Sequence, residues 1–343
     1  MNYNLNEILN SFPKENLSSY KPSPIQRLYN VEKYLKTKVK IYIKRDDLLR
    51  PYFGNKIRYI EYILGHYHQT NSDCIIHAGG ITSNYMGQLA MAGAIKNIPI
   101  HIVLEKKPEQ LQGNTLIEKL FGAKLHFVSR STDTNTAVKE KVKNELIEKG
   151  FNPYVIDYPH ANYLAYLGYM DAYNEIITQR DNESMDGLEH IYLCSGHHSF
   201  MGLKFAQSIL HENINIVGVK ASHWKNFAYF KSFEHFIDEK IREFSEFLKI
   251  KFDINDVNFT EDFVGKEYAI PSDESLRAMH IMAKYEGIIL DPIYSAKAFA
   301  GLIEHIKIGK IKDDESVLFI HTGGIFNVFQ YNNEIENFKS ERI

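Results

Sequence analysis

Residues 43–58 read IKRDDLLRPYFGNKIR and lead from an apolar strand pattern, through a turn at Gly54-Asn55, into an apolar-periodic run that begins at Ile57. A strand, a turn and a helix are therefore predicted in close succession. Lys56 lies on the first turn of that helix, and a lysine acts as a covalent catalyst only where desolvation or a nearby cation keeps part of it neutral. Arg45 and Arg58 are the candidate cations. Because most lysines are solvated surface residues, the stretch alone favours an ordinary lysine at a helix start.

The composition is that of a folded protein with no general attraction for polyanions. The chain has 343 residues, enough for two domains or one large α/β domain. Forty basic and 43 acidic residues give a formal net charge of −3, so neither a nucleic-acid partner nor an anionic membrane surface is expected. No apolar run approaches the roughly 18 residues that span a bilayer. The polar N-terminal segment resembles no targeting peptide, and the two cysteines form no disulfide framework, so a cytoplasmic location is expected.

Short apolar runs alternate with longer helical patterns along the chain. The apolar runs include DCIIHAGG, IPIHIVLE, HIYLCSG, NIVGVKAS and SVLFIHTGG. This rhythm predicts an α/β fold with mostly parallel sheets that helices cover on both faces. Residues 226–263 carry no strong strand signal and are predicted to add helical cover. The predicted strands end in turns rich in Gly, Ser or Thr, which is where open α/β folds bind ligands.

The turn HAGGITSNYMGQ at residues 77–88 is a second candidate site. Gly79-Gly80 permits a tight turn after the strand. Thr82, Ser83 and Asn84 then offer hydroxyl, amide and N–H groups at a predicted helix start, which suits an anion. Simple N-capping by Ser83 or Asn84 accounts for one of these residues, but less easily for the whole cluster.

The turn CSGHHSFMGL at residues 194–203 is a third candidate, again placed between a strand and a helix. Ser195, Gly196 and Ser199 could present hydroxyl and backbone donors to a phosphate at the helix start. A metal site built on His197 and His198 is not expected, because adjacent histidines seldom point the same way and no further ligand stands at the right spacing. The turn HTGG at residues 321–324 is a weaker fourth signal.

Taken in order, these segments resemble the pyridoxal-phosphate enzymes of fold type II, the tryptophan synthase β superfamily, and within it the branch of D-cysteine desulfhydrase and 1-aminocyclopropane-1-carboxylate (ACC) deaminase. The match spans almost the whole chain. Its motifs are PSPIQRL (22–28), IKRDDLLRPYFGNKIR (43–58), AGGITSN (78–84), YLGYMDAYNEI (166–176), YAIPSDES (268–275), EGIILDPIYSAKAFAGLI (286–303) and LFIHTGG (318–324).

The resemblance implies that Lys56 forms a Schiff base with pyridoxal phosphate and, once freed by substrate, moves protons at the substrate carbons. It implies an acid–base role for Ser83, a hydrogen bond from Asn84 to the ring hydroxyl, and substrate-carboxylate binding by the turn that contains Ser83, Asn84 and Tyr85. Thr322 would meet the pyridine nitrogen, and Tyr294 and Tyr268 would face the substrate. Ordinary core packing is the alternative for these two tyrosines, since the chain has 22.

Several positions depart from the family pattern. Gly196-His197-His198-Ser199 replaces a glycine-rich phosphate loop, so the imidazoles are expected to supply part of the phosphate contact. Pro159-His160-Ala161-Asn162 replaces a Gly-Gly-Ser-Asn turn, which makes His160 a candidate substrate contact. Tyr85 stands where a smaller or more polar residue is usual. Ser295 stands where ACC deaminases carry glutamate, which counts against ring opening of ACC.

The resemblance implies a two-domain, three-layer αβα architecture of fold type II. Residues 52–165 would form the small domain, residues 1–51 with 166–343 the large one, and the site would lie in the cleft. A homodimer is expected. The predicted activity is α,β-elimination from a small amino acid, with D-cysteine as type substrate, to give a 2-oxo acid and ammonia. The alternatives are β-replacement or another reaction of specialised metabolism, and a non-catalytic binding protein.

Overall fold

Two largely parallel sheets organise the molecule, as a computed structural model shows for residues 3–128, 134–182, 185, 187–224 and 230–339. The six-stranded sheet has the order β1-β2-β10-β7-β8-β9, and the four-stranded sheet has the order β5-β4-β3-β6. Only β1 runs antiparallel to its neighbour within these sheets. The strands are β1 (Ile25–Arg27), β2 (Lys40–Lys44), β3 (Cys74–Gly79), β4 (Ile100–Leu104), β5 (Lys124–Phe127), β6 (Pro153–Val155), β7 (Leu188–Cys194), β8 (Asn215–Val219), β9 (Asn258–Thr260) and β10 (Ser316–Ile320).

Helices connect the strands of both sheets, and a 3₁₀ turn covers Asp46–Leu48. The helices are α1 (Leu5–Asn10), α2 (Tyr29–Leu35), α3 (Ile57–Tyr67), α4 (Asn84–Lys96), α5 (Asn114–Leu120), α6 (Asn135–Glu148), α7 (His160–Asn182), α8 (His198–Leu210), α9 (Phe233–Leu248), α10 (Asp273–Glu286), α11 (Ser295–Lys307), α12 (Ile325–Val328) and α13 (Asn332–Asn337). Within the described ranges, no helix has the length and apolar character that a bilayer crossing requires.

Alternating residues of single strands pack on opposite faces, which gives each sheet a helical layer on both sides. In β10, Leu318 belongs to a core shared with the helices α3, α7 and α8, whereas Phe319 packs with α10 and α11 on the other face. In β3, Ile75 joins the shared core and Ile76 packs against α6. The predicted α/β class and its mostly parallel sheets are confirmed.

The strands of the four-stranded sheet all lie between residues 74 and 155, and those of the six-stranded sheet lie on either side of that interval. The domain limits expected from the sequence, 52–165 against the rest, stay a prediction. Helical cover over 226–263 is correct for α9, but residues 258–260 form the edge strand β9, and residues 226–229 lie outside the described part of the chain.

A buried ionic cluster ties the stretch 43–58 to α7. Arg58 donates from Nε and Nη2 to the two carboxylate oxygens of Asp46, both at 2.8 Å, and from Nη1 to Glu175 Oε2 at 3.1 Å. Lys44 Nζ lies 2.6 Å from Glu175 Oε1. The Arg58 side chain is fully buried and is hydrogen-bonded to both Asp46 and Glu175. The cluster therefore fixes the start of α3, and with it the position of Lys56.

Candidate active site

A cavity of about 820 Å³ opens where the loops of the two sheets meet. This volume falls in the upper part of the usual range for ligand sites, roughly 300–1,000 Å³. No aspartate or glutamate is among the described residues that line it, so the cavity suits an anionic ligand. Its walls include Asn55, Lys56, Tyr59, Ser83, Asn84, Tyr85, Tyr158, Asn162, Cys194, Ser195, Gly196, His197, His198, Ser199, Lys220, His223, Trp224, Phe233, Phe236, Lys240, Tyr268, Tyr294 and Thr322.

Lys56 stands immediately before α3 and faces this cavity. Burial lowers the pKa of its ammonium group to about 8. The two arginines expected to act as cations do not produce this shift, because Arg58 is paired with Asp46 and Arg45 with Asp47. At pH 7 about a tenth of Lys56 is therefore neutral, which is what a nucleophilic lysine needs.

The turn before Lys56 packs directly against the turn after β10. The Asn55 N–H donates to the Thr322 carbonyl at 3.1 Å, and Gly54 and Gly323 form an isolated antiparallel bridge. A Cβ on Gly323 would lie 2.4 Å from the Phe53 carbonyl oxygen and 2.5 Å from Gly54 Cα, and φ there is +89°. Only glycine fits this contact. The motifs GNK and HTGG, far apart in sequence, thus form one wall, with Thr322 on its surface.

The turn before α4 forms the opposite wall. Ser83 is the N-cap residue of α4, yet its side chain makes no capping hydrogen bond, and it lines the cavity. Asn84 Oδ1 accepts from Asn114 Nδ2 at 2.9 Å and Asn327 Nδ2 at 3.2 Å, which leaves its own amide nitrogen as the donor for a ligand. Simple capping therefore does not explain Ser83.

Two tyrosines extend this wall. Thr82 Oγ1 lies 3.2 Å from the Tyr268 hydroxyl, which lies 2.5 Å from the Tyr294 hydroxyl. Burial raises the pKa of Tyr294 well above its usual range, so the Tyr294 hydroxyl keeps its proton at neutral pH. The carboxylate of Asp291 accepts the backbone N–H of Tyr294 at 3.0 Å and so fixes the turn that carries this ring.

The turn SGHHS precedes α8 and brings its two serines and two histidines into the cavity. Ser195 Oγ accepts the Phe200 N–H at 3.2 Å, and Ser199 Oγ is hydrogen-bonded to the Tyr59 hydroxyl. His198 Nε2 lies 2.6 Å from Asn162 Oδ1. Burial, together with the positive charges of Lys240 and Lys56, lowers the pKa of His197 to about 3, so its imidazole is neutral.

The rings of the two histidines contact each other, with centroids 3.8 Å apart. Among the described residues, no group of three or more metal-ligating side chains occurs anywhere in the chain.

His160 lies outside the cavity, contrary to the sequence-based expectation. As the first residue of α7, it packs on His66 with ring centroids 4.3 Å apart and on Phe247 at 6.0 Å. Tyr85 does line the cavity, where its ring stands edge-on to His77 at 4.9 Å. All the other predicted site residues line this one cavity as well.

Sequence reasoning missed further residues of the cavity wall, among them Tyr59, Asn162, Lys220 and Lys240. Tyr59 lies one turn of α3 beyond Lys56, and the Lys56 Nζ stands 4.8 Å from its ring centroid. Asn162 lies in the first turn of α7, and its Oδ1 is 2.6 Å from His198 Nε2. Lys220 directly follows β8, and Lys240 lies in the middle of α9. The spacing of three residues from Lys56 on a predicted helix could have identified Tyr59, whereas no local pattern identifies the two lysines.

Comparisons with known proteins agree with this geometry. The family model of pyridoxal-phosphate dependent enzymes matches residues 17–323. The chain is 33% identical over 332 residues to the "Putative 1-aminocyclopropane-1-carboxylate deaminase" of Pyrococcus horikoshii, covering 96% of this chain and 97% of that protein. It is 29% identical to the "D-cysteine desulfhydrase" of Serratia proteamaculans, covering 97% of this chain and 100% of that protein. A crystal structure of an ACC deaminase homologue superposes with a TM-score of 0.86 at 31% identity, covering 99% of this chain and 100% of the homologue.

The fold and the lysine-centred cavity define an enzyme that uses pyridoxal phosphate. The chain belongs to the family of pyridoxal-phosphate dependent enzymes and has fold type II, as its motifs indicate.

Proposed function

We propose that this enzyme catalyses α,β-elimination from a small amino acid with a leaving group on the β carbon. D-cysteine is the type substrate, and the reaction consumes one water and releases pyruvate, ammonia and hydrogen sulfide. The observation that carries the proposal is that Lys56, Ser83 and the Tyr268–Tyr294 pair surround one cavity whose described walls hold no carboxylate. Such a cavity accepts both the phosphate of the cofactor and the carboxylate of an amino acid.

The residues present fit pyridoxal phosphate. Lys56 would hold its aldehyde carbon, the N-terminus of α8 would face its phosphate, and Thr322 would face its ring nitrogen. When bound, the cofactor withdraws electrons from the substrate Cα. Thr322 presents a hydroxyl rather than a carboxylate, so the ring nitrogen gains less positive charge than a carboxylate would stabilise, which suits elimination.

Protons would be moved by Lys56 and by the side chains of the cavity wall that contains Ser83, Tyr268 and Tyr294. The substrate carboxylate would lie on the turn 82–85, where Ser83, Asn84 and Tyr85 at the N-terminus of α4 line the cavity. Lys56, once released by the substrate amine, and Ser83 would remove and return protons at the substrate carbons. The Tyr294 hydroxyl, whose pKa burial raises and which is hydrogen-bonded to the Tyr268 hydroxyl, would donate toward the departing group at Cβ.

Ser295 supports elimination over the ring opening of ACC. Its Oγ donates to Asp291 Oδ1 at 2.7 Å, its side chain is fully buried, and it does not line the cavity. The position that carries glutamate in ACC deaminases therefore supplies no acid or base here. The names of the relatives include both activities, and this local difference supports elimination.

A coupled assay tests the proposal. Purified enzyme with pyridoxal phosphate should release pyruvate from D-cysteine, L-cysteine or another β-substituted amino acid, and Lys56→Ala should reduce the rate by at least about 10³-fold. Borohydride reduction and peptide mass spectrometry should place the cofactor on Lys56. Pyruvate formation by the Lys56→Ala protein would refute the role of Lys56. A wild-type protein that releases ammonia from ACC faster than pyruvate from every β-substituted amino acid would refute elimination.

We also propose the two-domain division at residues 52–165 and a homodimer. The confinement of the four-stranded sheet to residues 74–155 supports the first. Light scattering on the purified protein tests the second, with a mass of one 39.8 kDa chain as the contradicting result.

A further inference from the structure

The cavity continues beyond the SGHHS turn along a wall from the large sheet, which we call the lysine wall: Lys220 after β8, and Phe233, Phe236 and Lys240 on α9. Lys220 Nζ stands 3.5 Å from the Phe233 ring centroid, and Lys240 Nζ stands 5.5 Å from that of Phe236. Aromatic faces therefore hold both ammonium groups in place.

Both lysines are nearly excluded from solvent. Lys220 is 5% and Lys240 is 8% exposed, whereas the carboxylates that pair with them, Glu261 and Glu243, have side chains 35% and 24% exposed. The distances are 2.7 Å from Lys220 Nζ to Glu261 and 2.8 Å from Lys240 Nζ to Glu243. An ammonium group has three N–H donors, and within the described residues Lys220 directs one to a carboxylate. Buried donors on a carboxylate-free cavity wall suit an anion.

His197 connects the lysine wall to the start of α8. It is the N-cap residue of that helix, and its ring stands edge-on to Phe236 with centroids 5.1 Å apart. Its Nε2 is buried and has no hydrogen-bond partner among the described residues. A buried ring nitrogen without a partner is unfavourable unless a ligand completes it.

We propose that Lys220, Lys240 and the Nε2 of His197 form, with the N-terminus of α8, the subsite for the cofactor phosphate. The inference rests on the proposed function and deepens it. In place of glycines that let a backbone loop wrap the phosphate, this chain brings two buried ammonium groups from neighbouring elements. The serines of the turn, Ser195 and Ser199, can offer hydroxyl donors but no positive charge, and the two lysines beside the turn supply that charge.

The position of the lysine wall favours the cofactor phosphate over an acidic substrate side chain. Lys240 is close enough to His197 for its charge to lower the pKa of that imidazole, and His197 precedes the first turn of α8. The helix N-terminus and the two ammonium groups line the same cavity, and a dianionic phosphate is the group with enough charge and acceptors for all of them.

The test compares pyridoxal phosphate with pyridoxal, which lacks the phosphate. Full-length protein is stripped of cofactor, and the dissociation constant of each compound is measured by absorbance for the wild type, Lys220→Gln and Lys240→Gln. Each substitution should weaken binding of pyridoxal phosphate about 10- to 100-fold and leave pyridoxal within about twofold. Lys204→Gln is the matched control, because Lys204 is 4% exposed and paired with Asp256 at 2.6 Å but does not line the cavity.

Equal weakening of both compounds, or a ratio no different from that of Lys204→Gln, would overturn the subsite. So would an unchanged ratio combined with a raised KM for amino acids with acidic side chains, because the anion would then belong to the substrate. If a glutamine variant does not fold, Lys220→Arg and Lys240→Arg, which keep the charge, should retain most of the preference for pyridoxal phosphate; loss of that preference would count against the subsite.

Binding of inorganic phosphate to the cofactor-free protein separates this inference from the proposed function. Calorimetry should detect phosphate binding that either lysine substitution abolishes. Lysine-dependent phosphate binding by a protein that never links the cofactor to Lys56 would refute the proposed function and support the subsite. Cofactor linkage to Lys56 with a preference for pyridoxal phosphate that neither lysine affects would support the function and overturn the subsite.

Discussion

The two ends of the cavity are built in different ways. At the Lys56 end, defined by Gly54–Lys56 and Thr322–Gly323, backbone packs on backbone with no room for a side chain. At the histidine end, defined by Ser195–Ser199 with Lys220 and Lys240, side chains and a helix N-terminus line open space, and a Cβ on Gly196 would meet nothing within 4 Å. Where backbone contacts set the geometry, few residues fit; where side chains supply the chemistry, other residues can replace them.

The largest expected effect comes from breaking the ionic cluster behind the Lys56 end. Arg58→Met would leave Asp46 and Glu175 as buried carboxylates without their main partner, and loss of one member of a buried pair costs about 3–5 kcal/mol of unfolding free energy. Urea unfolding measures the loss. Because the cluster fixes the start of α3, linkage of the cofactor to Lys56 should fall with it.

Arg242→Met is the matched control for Arg58→Met. Arg242 also has two carboxylate partners, Glu239 and Glu246, but its side chain is 55% exposed on α9. Exposed pairs contribute little, so this substitution should leave the unfolding curve almost unchanged. Equal losses of unfolding free energy from the two substitutions would contradict burial as the reason for the large effect at Arg58.

A smaller but more local effect is expected where the two turns of the Lys56 end touch. Gly323→Ala places a Cβ 2.4 Å from the Phe53 carbonyl oxygen at a φ of +89°, which should cost about 1–3 kcal/mol and reduce cofactor linkage. Gly196→Ala at the histidine end meets no atom within 4 Å and should change stability by no more than about 0.5 kcal/mol. Similar losses of unfolding free energy in both variants would contradict the difference between the closely packed Lys56 end and the open histidine end.

The same contrast explains what the sequence could predict. The motifs GNK and HTGG, taken with the family resemblance, predicted residues that line one wall of the cavity, because a backbone contact that accepts only glycine leaves a readable motif. Tyr294 was predicted from the resemblance too, and the Asp291 carboxylate that fixes it lies three residues away in the same motif. The parallel sheets followed from the alternation of apolar runs with helical patterns.

The failures lie where tertiary contacts decide. His160 was expected in a turn, but it is the first residue of α7, and its ring packs on His66 and Phe247 rather than lining the cavity. Lys220 and Lys240 come from separate elements, and only the packing of α9 beside the end of β8 brings both to the cavity wall. The short strand β9 carries too few residues to show a periodic pattern.

The smallest effect concerns the charge of Lys56 itself and distinguishes burial from neighbouring cations as its cause. Burial lowers the pKa of Lys56 to about 8, and the amine attacks an aldehyde only when neutral. The neutral fraction therefore rises from about a tenth at pH 7 to about nine tenths at pH 9, so the rate of cofactor linkage at low pyridoxal phosphate should rise about tenfold and then level off. Stopped-flow absorbance measures this rate. An ordinary lysine would instead give a rate that keeps rising tenfold per pH unit beyond pH 9. Since burial rather than charge repulsion sets the value, the midpoint should move little between low and high salt; a large shift with salt would assign the effect to cations after all.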